Sequence, residues 1–323
     1  MKAIICKELG PPESLVLEDI ETKEVGEKEV KVKIHACSVN FPDTLIIQGL
    51  YQVKPDLPFT PGTDIAGEII EVGSAIKHYN IGDRVFGAII TGGFAEEVVV
   101  PAKAVFPIPP GMDYMIGSSF MMAYGTSYHA LKQRADLKAG ETLVVLGASG
   151  GVGLAAVELA KIMGARVIAC ASSQEKLDLC KEYGADETIN YTTEDLKARI
   201  KELTEGKGAD VVYDAVGGPN AELALRALGW QGRFLVVGFV GGIPKIPLNL
   251  PLLKGCQIVG VFWGSHVMRE PKIHQQNMME LLGLYQSGKL NPHVSKTYKL
   301  EEVPEALKDM MNRKVKGKVV IVP

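Results

Sequence analysis

Glycines at 147, 150, 151 and 153 follow the apolar stretch Thr142–Leu146 and open an apolar-periodic stretch over 152–163. Glycine allows a sharp turn and a close backbone approach, and the amides at a helix start carry partial positive charge, so this pattern points to a pyrophosphate. The spacing departs from G-x-G-x-x-G, with Ala148 at its first position. Glycine-rich turns also serve as packing devices, and it is the strand–turn–helix setting that favours a dinucleotide. Roughly 20 residues further on, a coenzyme with free ribose hydroxyls calls for Asp or Glu. The chain has Ser172, Ser173 and Lys176 there instead. Two hydroxyls and a cation would receive a 2′-phosphate that a carboxylate would repel, so NADPH is the expected coenzyme. Ser172 and Glu175 also fit a helix capping box, which is compatible with phosphate binding at the same helix start.

The elements that must position these residues form a regular series. Apolar runs at Thr142–Leu146, Arg166–Ala171, 187–189, 210–213 and 233–237 alternate with helical stretches at 152–163, 174–182, 194–204 and 219–228. The expected fold class is therefore α/β, a doubly wound parallel sheet of the Rossmann kind. A further strand is expected at 257–261 and a helix over 273–287. Residues 1 to 115 carry short β-branched runs, at 29–34, 65–72, 83–86 and 94–100, broken by turn residues, and read as an irregular β-rich domain. The expected boundaries are 116–264 for the nucleotide domain and 1–115 plus 265–323 for the other, with the terminal run Lys318–Val322 returning to the first.

Composition narrows the function classes. The 323 residues contain 35 Lys plus Arg and 38 Asp plus Glu, a formal charge of -3, too balanced for nucleic acid or an anionic membrane as main partner. Hydrophobic residues make up 46% and charged residues 23%, which is a globular composition. The five cysteines are odd in number and widely spaced, arguing against a disulfide framework. His35 and Cys37 lie two apart with no second cluster to complete a tetrahedral site, so both read as core residues and no metal is expected. His129 and His266 are lone histidines with no assigned role. The uncharged stretch 114–131 is too polar for a bilayer span and reads as a buried helix. The start of the chain meets a charge before an apolar run can form, so no signal peptide is expected and the location expected is cytoplasmic.

Several motifs agree in order along the chain: 39–43 (VNFPD), 48–51 (QGLY), 61–67 (PGTDIAG), 82–85 (GDRV), 147–153 (GASGGVG), 189–191 (INY), 214–218 (DAVGG) and 238–239 (GF). With these the chain resembles the zinc-free medium-chain dehydrogenases/reductases of the quinone oxidoreductase (ζ-crystallin) group, over essentially its whole length. The resemblance implies a Rossmann domain with a β-rich, GroES-like catalytic domain, and a cleft binding NADPH and a conjugated carbonyl compound. Zinc-dependent relatives carry a cysteine where this chain has Asn40 and Gly-His-Glu where it has Gly62-Thr63-Asp64.

The resemblance also implies roles. Asn40 and Thr126 would hold the nicotinamide or substrate region, Gly150, Gly151 and Val152 would meet the pyrophosphate, and Asn40 and Thr63 would hydrogen-bond a carbonyl. Ser172, Lys176 and Tyr191 would surround the adenosine 2′-phosphate, Phe239, Phe262, Trp263 and Gly264 would line the nicotinamide ribose, and Arg313 would add a cation for the phosphates. Tyr51 would be the proton donor, or a residue packing at a pocket rim. Leu45 stands where some quinone reductases have a tyrosine. The implied activity is hydride transfer to a quinone or activated enone. The alternatives are an enoyl-thioester reductase and a non-catalytic, crystallin-like NADPH-binding protein. A homodimer paired through the strand at 257–261 is expected.

Overall fold

The apolar runs between 142 and 260 become six strands of one all-parallel sheet. Their spatial order is Glu187–Asn190, Arg166–Ala171, Thr142–Leu146, Ala209–Asp214, Leu228–Val236 and Gln257–Gly260. The computed structural model describes residues 1–323. Helices Gly151–Ile162, Gln174–Glu182, Leu196–Leu203 and Gly218–Ala227 make the crossovers. Strand Thr142–Leu146 pairs on both sides and its residues from Leu143 to Leu146 are fully buried, as a sheet covered on both faces requires. The chain order reverses direction at this strand, which places the glycine turn after Leu146 at the switch point where such sheets bind ligands. The strand expected at 233–237 begins earlier, at Leu228, because a register shift accommodates Gly229 to Gly232 with Gln231 at φ 58°. Helix Trp263–Arg269, absent from the sequence reading, follows the last strand.

In the other part of the chain, strand Glu29–Ser38 pairs antiparallel with Asp64–Val72, Glu97–Pro101 and Lys318–Val322. The sheet continues through Arg84–Ala88 to Val105–Pro107 on one side and to Val294–Lys299 on the other. Its core includes Val30, Val32, Ile65, Ile69, Val85, Phe94 and Ile321. The terminal strand thus rejoins the first unit.

The two units are Met1–Met122 with Pro292–Pro323, and Ala123–Asn291. This corrects the sequence boundaries: residues 116–122 belong to the first unit and 265–291 to the second. Side-chain bonds hold the latter stretch where it is. Gln133 and Asn277 exchange amide hydrogen bonds (3.0 and 3.2 Å), Glu280 accepts from Tyr128 and Lys132, and Glu158 accepts the Asn291 N–H at 2.7 Å.

Candidate active site

In the second unit the turn after Leu146 is built from its glycines. Gly147 adopts φ +71°, and the Gly147 and Ala148 N–H groups both donate to the Cys170 carbonyl at 3.1 Å, tying the turn to the next strand. A Cβ at Gly153 would lie 2.2 Å from the Gly147 oxygen, so the helix can seat on the turn only with glycine there. Gly150 differs. It caps helix Gly151–Ile162 at φ -80°, and a Cβ on it would meet only the Gly147 oxygen at 3.5 Å. The protein itself does not demand glycine at 150; an anion resting on the amides would. The turn therefore fits a pyrophosphate. Ser127 donates to the Val152 carbonyl at 2.7 Å and holds this helix start from beneath.

Strands Arg166–Ala171 and Glu187–Asn190 end side by side, with Asn190 opposite Ala171. Their ends bring Ser172, Lys176 and Thr192 together. Lys176 Nζ donates to Ser172 Oγ at 3.3 Å, and Thr192 bonds Asn190 Oδ1 at 2.6 Å and reaches the Ser172 carbonyl at 3.4 Å. The helix cap is Ser173, whose hydroxyl accepts the Lys176 N–H at 3.4 Å, and not Ser172 as the capping-box reading has it. That leaves the Ser172 hydroxyl beside the lysine. Tyr191, half-buried, packs on the core of this unit.

The remaining residues of the second unit separate into exposed and buried. Phe239 and Phe262 stand exposed just beyond the ends of strands Leu228–Val236 and Gln257–Gly260, and Gly264 is half-buried. Trp263 is turned inward: its indole lies so close to Gly125 that a Cβ there would be 2.8 Å from Nε1. Its ring packs on the helix that carries Thr126, itself buried, which leaves Phe239 and Phe262 as the exposed side chains among those expected at the ribose. Behind it, the His129 and His266 rings stack with centroids 3.9 Å apart, His266 Nδ1 lies 2.6 Å from Glu270, and His274 meets the Trp263 ring edge-on. Burial, then the His266 charge, push both His129 and His274 down to about 4. This cluster is invisible along the chain, because its members are separated by up to 145 positions. Arg313 is carried by the first unit, just past helix Val303–Met311, with φ 56°.

The first unit holds a buried polar cluster. Asn40 precedes helix Phe41–Ile46, and its N–H donates to Asp43 Oδ2 at 2.7 Å. Its side-chain nitrogen faces Ser38 O (3.3 Å), Thr63 Oγ1 (3.2 Å) and Asp64 Oδ2 (3.1 Å), while its oxygen accepts from Lys318. Both ends of the amide are committed inside the protein, so Asn40 is not the free carbonyl donor expected of it. Thr63 is equally enclosed, and its hydroxyl helps pull Asp43 down. Burial outweighs such pulls and lifts Asp43 to about 7 and Asp64 to about 6. Lys318 is pushed below the usual lysine range by burial, against the attraction of Asp64 3.8 Å away. Tyr51 is half-buried against the same core, its phenol raised by burial and by the Asp43 charge. Cys37 is fully buried in the core, whereas His35 stacks on Tyr114 at 4.5 Å with Arg84 on that ring.

Residues 26–110 match the alcohol dehydrogenase GroES-like domain and residues 151–282 the zinc-binding dehydrogenase family. The chain is 43% identical to a quinone oxidoreductase-like protein 2 homolog of Nematostella vectensis, over 99% of this chain and 88% of that protein. It belongs to the quinone oxidoreductase family of medium-chain dehydrogenases/reductases. Among solved structures it is similar to Escherichia coli quinone oxidoreductase complexed with NADPH, with 29% identity, a TM-score of 0.95 and complete coverage of both chains. It is also similar to CurK enoyl reductase, with 26% identity, a TM-score of 0.91 and coverage of 99% and 98%. The chain is thus an oxidoreductase of mixed α/β fold with a Rossmann and a GroES-like part. No helix is long and apolar enough to cross a membrane.

A family described as zinc-binding raises the question of a metal. No three His, Cys, Asp or Glu side chains converge as donors. At Asn40 and Thr63 the structure offers an amide nitrogen and an enclosed hydroxyl, with an ammonium beside them. Thiolate, imidazole or carboxylate donors are what zinc takes, so these residues do not fit it.

Proposed function

We propose that this oxidoreductase uses NADPH to reduce a quinone or similarly activated carbonyl compound, without zinc, as a cytoplasmic enzyme. The observation that carries the reading is the pairing of Ser172 with Lys176 at the end of strand Arg166–Ala171, a hydroxyl and a cation where a 2′-phosphate would be bound. The NADPH complex of the E. coli relative supports the same coenzyme. When bound, NADPH would supply the hydride. The amides of Gly150, Gly151 and Val152 would hold its pyrophosphate, and Ser172, Lys176 and Tyr191 its 2′-phosphate. Phe239, Phe262 and Gly264 would cover the nicotinamide ribose, with Thr126 supporting that wall from within.

A quinone that accepts hydride becomes a hydroquinone anion and needs one proton. Tyr51 is the donor we assign: a phenol with pKa about 10 in water suits a developing phenolate or enolate. Asn40 and Thr63 act as a stiff polar wall, their hydrogen bonds already made. A quinone carbonyl is electrophilic enough to take hydride against such a wall.

An enoyl-thioester reductase is the second reading, favoured by Tyr51 together with the similarity to CurK enoyl reductase. Steady-state NADPH oxidation with naphthoquinones and with a crotonyl thioester separates the two. Quinone turnover is expected to exceed thioester turnover, and Tyr51→Phe is expected to lower kcat about 100-fold. Preference for the thioester moves the chain to the second reading. Absence of turnover with every acceptor, despite tight NADPH binding, leaves a non-catalytic binding protein.

We also propose a homodimer. Strand Gln257–Gly260 is paired on one side only, and near it Trp230 (73%), Leu252 (80%) and Leu253 (69%) are exposed. An apolar sheet edge of this kind is an aggregation hazard unless a second copy covers it. Light scattering should give twice the chain mass of 34.8 kDa; a monomer mass would remove the proposal.

A further inference from the structure

Of all the lysines and arginines in the chain, Lys318 alone is buried. It opens strand Lys318–Val322, and its backbone N–H is held by the His293 carbonyl at 2.9 Å. Its ammonium donates to Asn40 Oδ1 and lies 3.8 Å from Asp64 Oδ2. Removing a charge from water costs several kcal/mol unless it is well paired, so a lysine retained here is expected to do something an apolar residue could not.

The geometry shows what that is. An ammonium has three donors and no acceptor. Its bond to the Asn40 oxygen therefore acts with the Ser38 carbonyl and the Asp64 carboxylate to fix which end of the amide is oxygen, and keeps the amide nitrogen toward Ser38, Thr63 and Asp64. Without Lys318, the Asn40 oxygen would lose the ammonium that pairs it inside the protein, and the amide would be held from its nitrogen end alone. The same ammonium offsets the two carboxylates. Asp43 and Asp64 each keep one buried oxygen without a hydrogen-bond partner, so this small volume holds two carboxyls against one cation.

We propose that Lys318 is a positioning residue, a built-in cation that locks the Asn40 amide and sets the charge carried by the Asp43–Asp64 pair beside Tyr51. The inference deepens the reductase reading and, for its catalytic consequence, rests on it. The charge of Asp43 acts on the Tyr51 phenol, so Lys318 reaches the proton donor through that carboxylate. The other groups facing the cluster are accounted for. Cys37, on strand Glu29–Ser38, is raised by burial and by both aspartates, and lowered by Lys318. On the opposite side, strand Val294–Lys299 pairs through Val294, and its Lys296 is engaged with Glu305 and Asp309 at 3.7 Å.

The test compares the full-length protein with Lys318→Met and Lys318→Arg. Two readouts need no turnover: the side-chain amide resonances of Asn40 in 15N spectra, and the carboxyl titrations of Asp43 and Asp64 in 13C spectra. In Lys318→Met the Asn40 amide should shift and broaden, and both carboxyl titrations should move up by about one unit or more, with Lys318→Arg restoring most of each. With NADPH and a quinone, kcat should fall about tenfold with its pH profile moved in the same direction. NADPH affinity should stay within about twofold, because the residues proposed to hold the coenzyme share no hydrogen-bond partner with Lys318. Unchanged spectra in Lys318→Met overturn the proposal, as does a pH-independent loss of kcat that merely follows thermal stability. If Lys318→Met does not fold, Asp64→Asn/Lys318→Met removes both charges, and the Asn40 amide and Asp43 carboxyl are read in that variant by the same criteria. Spectra that change in a protein reducing no acceptor would leave Lys318 as the organiser of the cluster while ending the reductase reading.

Discussion

Each unit buries a group of titratable side chains, and the two groups answer acid in opposite directions. In the first unit Asp43 and Asp64 are lifted to about 7 and about 6, so the folded state binds protons more readily than the unfolded chain, whose aspartates titrate near 3.9. Their contribution is most favourable in acid and is lost as pH rises through the folded pKa values. In the second unit His129 and His274 are pushed down to about 4, so there the unfolded chain binds protons more readily. Their contribution is full above about pH 6.5 and is lost as pH falls toward 4. The difference follows from what burial disfavours, which is charge: it makes a carboxyl a weaker acid and an imidazole a weaker base. One cluster has an internal cation beside its carboxyls; in the other the Gln133 hydrogen bond and the Glu270 charge pull against burial at His129 without overcoming it.

The largest effect that would break this contrast is expected from His129→Phe, which keeps an aromatic ring against His266 and removes the titration. From pH 7 to pH 5 the wild type should lose about 2 kcal/mol more stability than the variant, from a histidine whose pKa falls from about 6.5 to about 4 on folding. Using the variant as reference isolates the histidine, since Glu158 and Asp214 in the same unit are raised by burial and oppose it. Amide hydrogen exchange sharpens the comparison. Relative to the variant, wild-type strand Thr142–Leu146 should lose protection at pH 5, and strand Lys318–Val322 should not follow. Equal loss in the two strands, or the same pH dependence in variant and wild type, would mean that the clusters do not titrate as their burial dictates.

The second unit was legible because its signals are local. Alternating apolar runs, a glycine turn after a strand and a serine cap with a lysine three positions on are all read within a short window. Its errors came from contacts that windows do not show. No window shows that Gly125, 138 positions before Trp263, is the gap that receives its indole, or that residues 265–291 stay with the second unit through Asn277, Glu280 and Asn291. The first unit yielded less. Asn40 and Thr63 stand out by type, but what they do is decided by Lys318, which reaches Asn40 across 278 positions through antiparallel strand pairing. A lysine in an apolar terminal strand was the one available sign, and in the sequence it reads as part of a basic run with Lys314 and Lys316. A buried polar network is a product of topology, so its members cannot be recognised before the strands are paired.

The clusters differ from the coenzyme patch in a further way, which sets the smallest expected effects. Around Ser172 the hydrogen bonds are long, 3.3 to 3.4 Å, and partly exposed, as befits groups proposed to exchange partners with a ligand. Lys176→Ala should therefore leave stability within about 0.5 kcal/mol. It should weaken NADPH about tenfold, the worth of one charge-assisted hydrogen bond of about 1.4 kcal/mol, and hardly touch NADH. Gly150→Ala supplies the control. Its φ of -80° suits any residue and its Cβ meets no atom closer than 3.5 Å, so the fold should tolerate it. A methyl group over the helix amides would hinder the pyrophosphate, which both coenzymes share. Titration calorimetry should then show Gly150→Ala weakening NADPH and NADH alike by a few-fold, about 1 kcal/mol. If Lys176→Ala weakened both coenzymes equally, the lysine would be meeting the pyrophosphate, and the preference for NADPH would have to come from other residues.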